Sequence, residues 1–356
     1  MDIKNSAEMR IIDANINRVS EGLRVLDDIA RFTLNDSSLS KSLKAIRHTI
    51  SIDVATLGIR LVDARDVSTD WGATSKEKTT RQDLLSIVSL NSSRAQEGLR
   101  VIEELSKLHG LNKSLNAANF KRARFAIYDL ERALISRLSR QQAAKGISGL
   151  YVIIDIAYIE GKDPVKLASQ AIAGGASIIQ LRHKFGEKKA IYETADKLQR
   201  ICSVKNVLFF VNDHIDVALA CNADGVHLGQ SDLPLEAARK LMPIDKLIGC
   251  SASTVLEARK AQKDGADYIA VGAIFPTTSK DDIDVVGLQR LARIKQSVNI
   301  PVVAIGGINR DNVAKTINAG ADSIAVISAV LSAPDVQKAA SGLTSIIDKI
   351  KKTGSQ

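Results

Sequence analysis

Two hydrophobic textures divide the chain. From residue 7 to about 144, apolar side chains recur every three or four positions. Ile11, Ile12, Ile16, Val19, Leu23, Leu26 and Ile29 form one such face, and that spacing predicts amphipathic helices. From about residue 150 onward, short apolar runs of β type alternate with helical segments. The runs are 151–155, 177–181, 207–211, 225–228, 247–250, 268–274, 302–305 and 323–327. Helical segments between them include 164–173, 188–204, 234–241, 254–264, 288–297 and 312–318. Such a βα series, roughly two hundred residues long, predicts an α/β fold, a (β/α)8 TIM barrel with active sites at the C-terminal ends of its strands. An open doubly wound sheet is the alternative, but no dinucleotide-type glycine loop follows the first run. Between the textures, residues 139–149 (SRQQAAKGISG) lose the periodicity. A junction there gives an all-α domain over residues 1–145 and a barrel domain over 146–356.

The helical half repeats itself. Asn15-x-x-Arg18-x-x-Glu21-Gly22-Leu23-Arg24-Val25-Leu26 returns as Asn91-x-x-Arg94-x-x-Glu97-Gly98-Leu99-Arg100-Val101-Ile102, and Lys44-x-x-Arg47 returns as Lys121-x-x-Arg124. Two copies of one helical hairpin, related by a pseudo-two-fold axis, are expected. Glycine inside a helix costs about 0.5–1 kcal/mol relative to alanine, so Gly22 and Gly98 imply close helix approach. Arg18, Arg24, Arg94 and Arg100 can pair with Glu21, Glu97, Asp28 and Glu104 or clasp a phosphate, and pairing within the helices is the expected use of most of them. A loop over residues 61–73 carries Arg65, Asp66 and Trp71, the last expected as a packing anchor.

Composition narrows the function classes. The 356 residues allow two domains, and 45% hydrophobic with 25% charged residues is ordinary for a globular protein. Cys202, Cys221 and Cys250 show no ligand or redox spacing, which suits a reducing compartment. The segment MDIKNSAEMRIIDANINR is charged from its second residue, and no apolar run reaches bilayer length. A cytoplasmic protein without membrane contact is expected. The formal charge of +9 raises nucleic acid as a partner, but aromatics make up only 4% and no basic, aromatic-interleaved patch occurs. Anionic small molecules are the expected partners, and association of copies into a homo-oligomer is left open.

The chemistry collects just after the strands. The second run ends in Gln180, Arg182 and Lys184, whose alternation puts three donor side chains on one side. The third and fourth give Asn212, Asp213, Gly229, Gln230 and Asp232. Asp213 and Asp232 hang from one sheet edge if these strands are neighbours, and can converge on a magnesium ion; Asp216 is a weaker candidate. The alternative makes them a turn residue and a helix N-cap. The fifth run gives Ser251, the sixth opens into Phe275-Pro276-Thr277-Thr278-Ser279-Lys280, and the last two end at Gly306-Gly307 and Ile327-Ser328. Loops after the seventh and eighth strands of such barrels frequently hold phosphate, and a plain tight turn is the alternative there. His183, His214 and His227 invite an acid/base role, although His227 lies within an apolar strand. No Ser–His–Asp or paired catalytic-carboxylate arrangement is apparent.

Residues 150–350 resemble the thiamine-phosphate synthase family through Gln180-Leu181-Arg182-x-Lys184, Asn212-Asp213, the run from Ala223 to Asp232, Gly249-x-Ser251, Pro276-Thr277-x-Ser279-Lys280, Ile305-Gly306-Gly307-Ile308 and Val326-Ile327-Ser328. The resemblance implies a transferase that displaces the diphosphate of hydroxymethylpyrimidine diphosphate with the nitrogen of a thiazole phosphate, giving thiamine phosphate and pyrophosphate. It implies that Gln180, Arg182, Lys184, Asn212, Ser251 and Lys280 hold the pyrimidine diphosphate, with Arg182, Ser251 and Lys280 as the catalytic set. It also implies magnesium on Asp213 and Asp232, and thiazole phosphate on Thr277, Thr278, Ser279, Gly306, Gly307, Ile327 and Ser328. The first half is similar to an N-terminal extension on some members of this family, which implies a role in supplying the pyrimidine phosphate, as a kinase or as a binding or dimerising module. It shows no P-loop and no kinase-type glycine loop. The competing readings are a thiazole tautomerase on the same barrel, which would lack the magnesium aspartates, and a non-catalytic binding protein.

Overall fold

The structure, a computed structural model, describes residues 7–64, 80–277 and 285–353. Two compact units divide the chain, residues 1–139 and 140–356. In the first, helix α1 (Ala7–Asp28) runs on through a π-helical turn and returns as α2 (Ser37–Ala55). Asp36 caps α2 by accepting from the amides of Ser38 at 2.9 Å and Leu39 at 3.1 Å. A short α3 (Ile59–Asp63) follows, then α4 (Leu84–Leu105) and α5 (Ala117–Ala144). Residues 61–63, expected within a loop, instead belong to α3, where Leu61 is buried against the helical core. Arg65, Asp66 and Trp71 lie outside the described residues.

The repeat is visible in the packing of α1 against α4. A Cβ on Gly22 would lie 2.8 Å from the Asn91 carbonyl oxygen, and one on Gly98 would lie 2.7 Å from Val19 Cγ2 and 3.1 Å from the Asn15 carbonyl oxygen. Each glycine thus receives the backbone of the other repeat, which explains its presence in a helix interior. Met9, Ile12, Val19, Leu23, Leu26, Leu99 and Ile102 fill the core beneath. Ile11 departs from the expected stripe: it is 42% exposed, one position outside the buried face.

The second unit is a closed barrel of eight parallel strands in chain order, β1 to β8. They are β1 (Gly149–Asp155), β2 (Ala176–Arg182), β3 (Leu208–Asn212), β4 (Gly225–Leu228), β5 (Leu247–Ser251), β6 (Tyr268–Val271), β7 (Val302–Ile305) and β8 (Ser323–Val326). β6 ends three residues before its apolar pattern does, since Ala273 and Ile274 are buried beyond the ladder and Ile274 N donates to the Ile305 carbonyl at 2.9 Å. Successive side chains alternate between two cores. Leu150, Val152, Ile154, Ile179, Leu181, Phe209 and Val211 pack under the surrounding helices. Tyr151, Ile153, Ile178, Phe210, Leu247, Tyr268, Val303 and Ala325 fill the barrel interior. No helix among the described residues is long and apolar enough to cross a membrane.

Large interior rings need empty positions opposite them. A Cβ on Gly249 would fall 2.0 Å from Tyr268 Cζ, and one on Gly225 would fall 2.5 Å from Phe210 Cε1. These two strand glycines admit the two rings, which meet edge to face at 5.4 Å.

One buried ion cluster ties elements of this unit together. Asp267 accepts from Arg140 Nε at 2.8 Å, from the Ile248 amide at 2.8 Å, and from Arg239, whose other nitrogen donates to the Lys246 carbonyl at 2.7 Å. Only about 9% of the Arg140 and Asp267 side chains is exposed. Removing the carboxylate strands two guanidinium groups, so Asp267→Ala should destabilise the barrel unit by about 3–5 kcal/mol in urea unfolding. An unchanged unfolding midpoint would show that the cluster does not hold the unit together.

Candidate active site

The inward alternation that fills the barrel with rings continues past them into polar side chains. In register, Ile153 faces Gln180, Asp155 faces Arg182, Asn212 faces His227 and Ser251 faces Ala270. The resulting cavity, about 410 Å³, lies at the C-terminal ends of the strands. Its size suits a small-molecule ligand.

Among the expected ligand residues, Gln180, Arg182, Lys184, Asn212 and Ser251 line this cavity, as do Asp213 and Asp232. Thr277, Gly306, Gly307, Ile327 and Ser328 line its other side. Thr278, Ser279 and Lys280 lie outside the described residues. Of the three histidines singled out, His227 lines the cavity. His183 and His214 are not among its lining residues, and His214 Nε2 lies 3.2 Å from the His183 carbonyl oxygen. Asp216 is also removed from the cavity and pairs with Lys188 at 2.9 Å.

A continuous hydrogen-bonded chain crosses the floor. Gln180 Nε2 donates to the Tyr151 hydroxyl at 2.7 Å, the Tyr151 and Tyr268 hydroxyls are 3.0 Å apart, and Tyr268 lies 3.0 Å from His227 Nδ1. His227 Nε2 then lies 3.0 Å from Ser251 Oγ. Burial pushes both phenols well above their ordinary pKa, so they stay neutral. The chain thus fixes the direction of Gln180 and Ser251, two side chains on opposite walls, without placing a charge beneath the ligand. The amino-acid pattern singles out neither tyrosine, since both read as ordinary strand apolars. Nor does it disclose Asp155, which closes an ion pair with Arg182.

The two aspartates meet as like charges. Burial first, and then the facing Asp232, push the Asp213 carboxyl up to about 6. Burial also acts to raise Asp232, but the hydrogen bond to Asp213, the Gly229 amide donating at 2.6 Å and the Lys184 cation outweigh it and lower its pKa. Asp232 does not cap the following helix, whose N-cap is Pro234. Asp213 adopts a left-handed backbone conformation, φ 63°, which turns the chain at the end of β3 and leaves its side chain in the cavity. Two carboxylates held together with Lys184 Nζ 4.0 Å from Asp213 form a set a hard cation would relieve. No group of three or more His, Cys, Asp and Glu side chains suited to a metal occurs among the described residues. Asp213 and Asp232 therefore fit an ion that takes the rest of its shell from water and substrate phosphate, as magnesium does.

Across this cavity the last loops bring backbone rather than charge. Gly306 and Gly307 have φ of 96° and 64°, and a Cβ on Gly307 would lie 2.5 Å from the Pro276 carbonyl oxygen. Only glycine fits there, which leaves the turn bare toward the cavity.

The family model described as thiamine monophosphate synthase matches residues 150–330. A thiamine-phosphate synthase of Prochlorococcus marinus subsp. pastoris is 37% identical over 331 residues, covering 92% of this chain and 91% of its own. The chain belongs to the thiamine-phosphate synthase family. A thiamine-phosphate synthase of Clostridium tetani is 46% identical over 200 residues, 56% of this chain and 96% of that one. The solved thiamine phosphate pyrophosphorylase of Pyrococcus furiosus is 43% identical, with a TM-score of 0.54, and covers 58% of this chain and 98% of its own. Members of the family therefore occur both at this chain's length and at the length of the barrel alone. The model of the ThiD2 family matches residues 10–133, within the helical unit.

The coupled aspartates give this thiamine-phosphate synthase family member a pH signature. Folding raises the Asp213 pKa above its ordinary 3.8, so its contribution to metal-free stability is complete below that value and is lost as pH rises through about 6. A divalent cation shared by the two carboxylates would bind more tightly over the same window, because both must ionise to hold it. The Asp213 side-chain carbonyl resonance should titrate near 6 without metal and at a lower pH in Asp232→Asn. Titration at 3.8 in both proteins would remove the coupling.

Proposed function

We propose that the barrel displaces diphosphate from hydroxymethylpyrimidine diphosphate with the ring nitrogen of a thiazole phosphate, releasing thiamine phosphate and pyrophosphate. The observation that carries this reading is the convergence of Gln180, Arg182, Lys184, Asn212 and Ser251 with the Asp213–Asp232 pair in one cavity. A tautomerase would have no use for that pair.

The reaction asks little of a general base, because an electron-rich aminopyrimidine can carry positive charge on the methylene carbon as diphosphate departs. Gln180 and Ser251, held by the tyrosine chain, orient the pyrimidine, while Asn212 completes its polar contacts. Arg182, steered by Asp155, and Lys184 take up charge developing on the diphosphate. Lys280 adds a third cation in this reading. Magnesium, when bound by Asp213 and Asp232, supplies further charge neutralisation for the leaving group. Thr277 and the backbone at Gly306, Gly307, Ile327 and Ser328 hold the thiazole phosphate on the opposite wall, and Thr278 and Ser279 add hydroxyl donors to it in this reading. Positioning the two reactants in line accounts for the remaining acceleration.

The helical unit, in this proposal, handles the pyrimidine before its diphosphate reaches the barrel. Support comes from the family matched there and from the barrel-length relative, which carries the synthase name over that length. Full-length protein given ATP and hydroxymethylpyrimidine phosphate tests whether this unit phosphorylates or only binds.

Incubation with magnesium, hydroxymethylpyrimidine diphosphate and thiazole phosphate should release equal amounts of pyrophosphate and thiamine phosphate. Absence of both products would overturn the reading. Arg182→Ala should lower turnover by about 10²–10³, as loss of one transition-state donor does elsewhere. Asp213→Asn and Asp232→Asn should each cause a sharp fall while the circular dichroism spectrum stays unchanged. Near-normal rates in both aspartate variants would remove the metal assignment.

A further inference from the structure

Two of the three histidines, His183 and His214, stand outside the cavity, yet each adjoins in sequence a residue that lines it, Lys184 and Asp213. The β2–β3 ladder runs only as far as Leu181 and Val211. It therefore does not hold Lys184 and Asp213 to each other. Asp213 is fastened the other way, its amide donating to the His227 carbonyl of β4 at 2.9 Å. The link back toward β2 runs through His214, whose Nε2 lies 3.2 Å from the His183 carbonyl oxygen. That carbonyl belongs to the peptide joining His183 to Lys184.

The protonation of the His214 imidazole follows from its other neighbour. Lys188 Nζ lies 3.0 Å from His214 Nδ1, and an ammonium can only donate, so Nδ1 carries the lone pair and Nε2 the proton. Nε2 thus donates to the His183 carbonyl. Lys188 is aimed in turn by Asp216, which accepts from it at 2.9 Å. Lys188 begins the helix Lys188–Val204 and Asp216 lies in the first turn of the helix Ile215–Ala220, so the relay joins the starts of the helices that follow β2 and β3. His183 adds shape to the same loop: a Cβ on Gly186 would fall 2.3 Å from its Nε2, so the ring occupies the place a side chain at 186 would take. Lys184 is left lining the cavity with Nζ 4.0 Å from Asp213 Oδ2, while Phe185 is 93% exposed.

We infer that His214 is a positioning residue for the diphosphate and metal side of the cavity. Its bond to the His183 carbonyl holds Lys184 and Asp213 at a fixed separation, and Lys188 and Asp216 keep it in the donating tautomer. The inference rests on the reading that Lys184 and Asp213 act on the diphosphate, and it adds the element that keeps them together. His214 does not line the cavity and acts through its neighbours. Its effect falls on one wall, because Gly306, Gly307 and Ser328 line the other side.

Binding of pyrophosphate with magnesium to the full-length protein, followed by calorimetry, reads this wall without turnover. His214→Phe keeps a ring and removes the N–H, and should weaken pyrophosphate binding about three- to tenfold. His214→Gln returns an N–H donor and should recover most of the loss. In turnover, the KM for hydroxymethylpyrimidine diphosphate should rise in His214→Phe while that for thiazole phosphate stays unchanged. A double-mutant cycle decides the role: in a Lys184→Met background His214→Phe should cost little more, because the side chain it positions is gone. Additive losses, or equal rises in both KM values, would overturn the positioning role. If His214→Phe loses its circular dichroism, Lys188→Met runs the same cycle from the exposed end of the relay, with an expected loss of about twofold that vanishes without Lys184. An unchanged affinity in Lys188→Met, or a loss that persists without Lys184, would overturn it there. Wild-type protein that binds pyrophosphate but makes no thiamine phosphate would overturn the reading of the barrel and leave the positioning role standing on the binding data. Wild-type protein that does neither would overturn both.

Discussion

The period-two alternation of eight strands in a closed barrel governs the rest of the second unit. Once the barrel closes, every second side chain must enter an interior with no exit except its ends. At Tyr151, Phe210 and Tyr268 the interior is filled by rings, and beyond them the same face carries Gln180, Asn212, His227 and Ser251. The site is thus the top layer of the core, and its donors are held by what lies beneath them. Removing the bulk of Tyr268 would empty the interior and also release the polar chain that fixes Gln180 and Ser251.

The strands, their order and most of the cavity were legible in the amino-acid pattern because each depends on local alternation and on the residues just past a strand end. Gly225–Leu228 and Val302–Ile305 have the bounds expected from the pattern. β6 ends earlier, since apolar side chains at Ala273 and Ile274 remain buried after the backbone has left the ladder. Contact between distant parts of the chain could not be read. Gly249 signals nothing until Tyr268 is placed opposite it. Likewise Arg140 and Asp267, separated by 127 positions, join only when the barrel closes. Of the three histidines, the pattern set His227 apart by placing it within an apolar strand, and of the three it alone lines the cavity.

In the helical unit the repeat was the readable signal and its consequence was geometric. Glycine at equivalent positions predicts close approach, and the reciprocal contacts of Gly22 with Asn91 and of Gly98 with Asn15 supply it. The expectation of pairing within helices holds for Arg100 but not for Arg18, whose partner among the described residues is an asparagine oxygen. The difference is one of position: Arg100 lies on the open face of α4, whereas Arg18 lines the cleft between α1 and α4.

The reaction we propose depends most on the Asp213–Asp232 pair, two carboxylates kept close by the ends of β3 and β4, whose mutual repulsion a cation would relieve. A crystal of the full-length protein grown with manganese and pyrophosphate, measured for anomalous scattering, tests this directly. One peak is predicted between the two carboxylates, with pyrophosphate oxygens completing its shell near Arg182 and Lys184. A strong peak elsewhere in the cavity, with Asp213 and Asp232 away from it, would contradict the metal role of the pair.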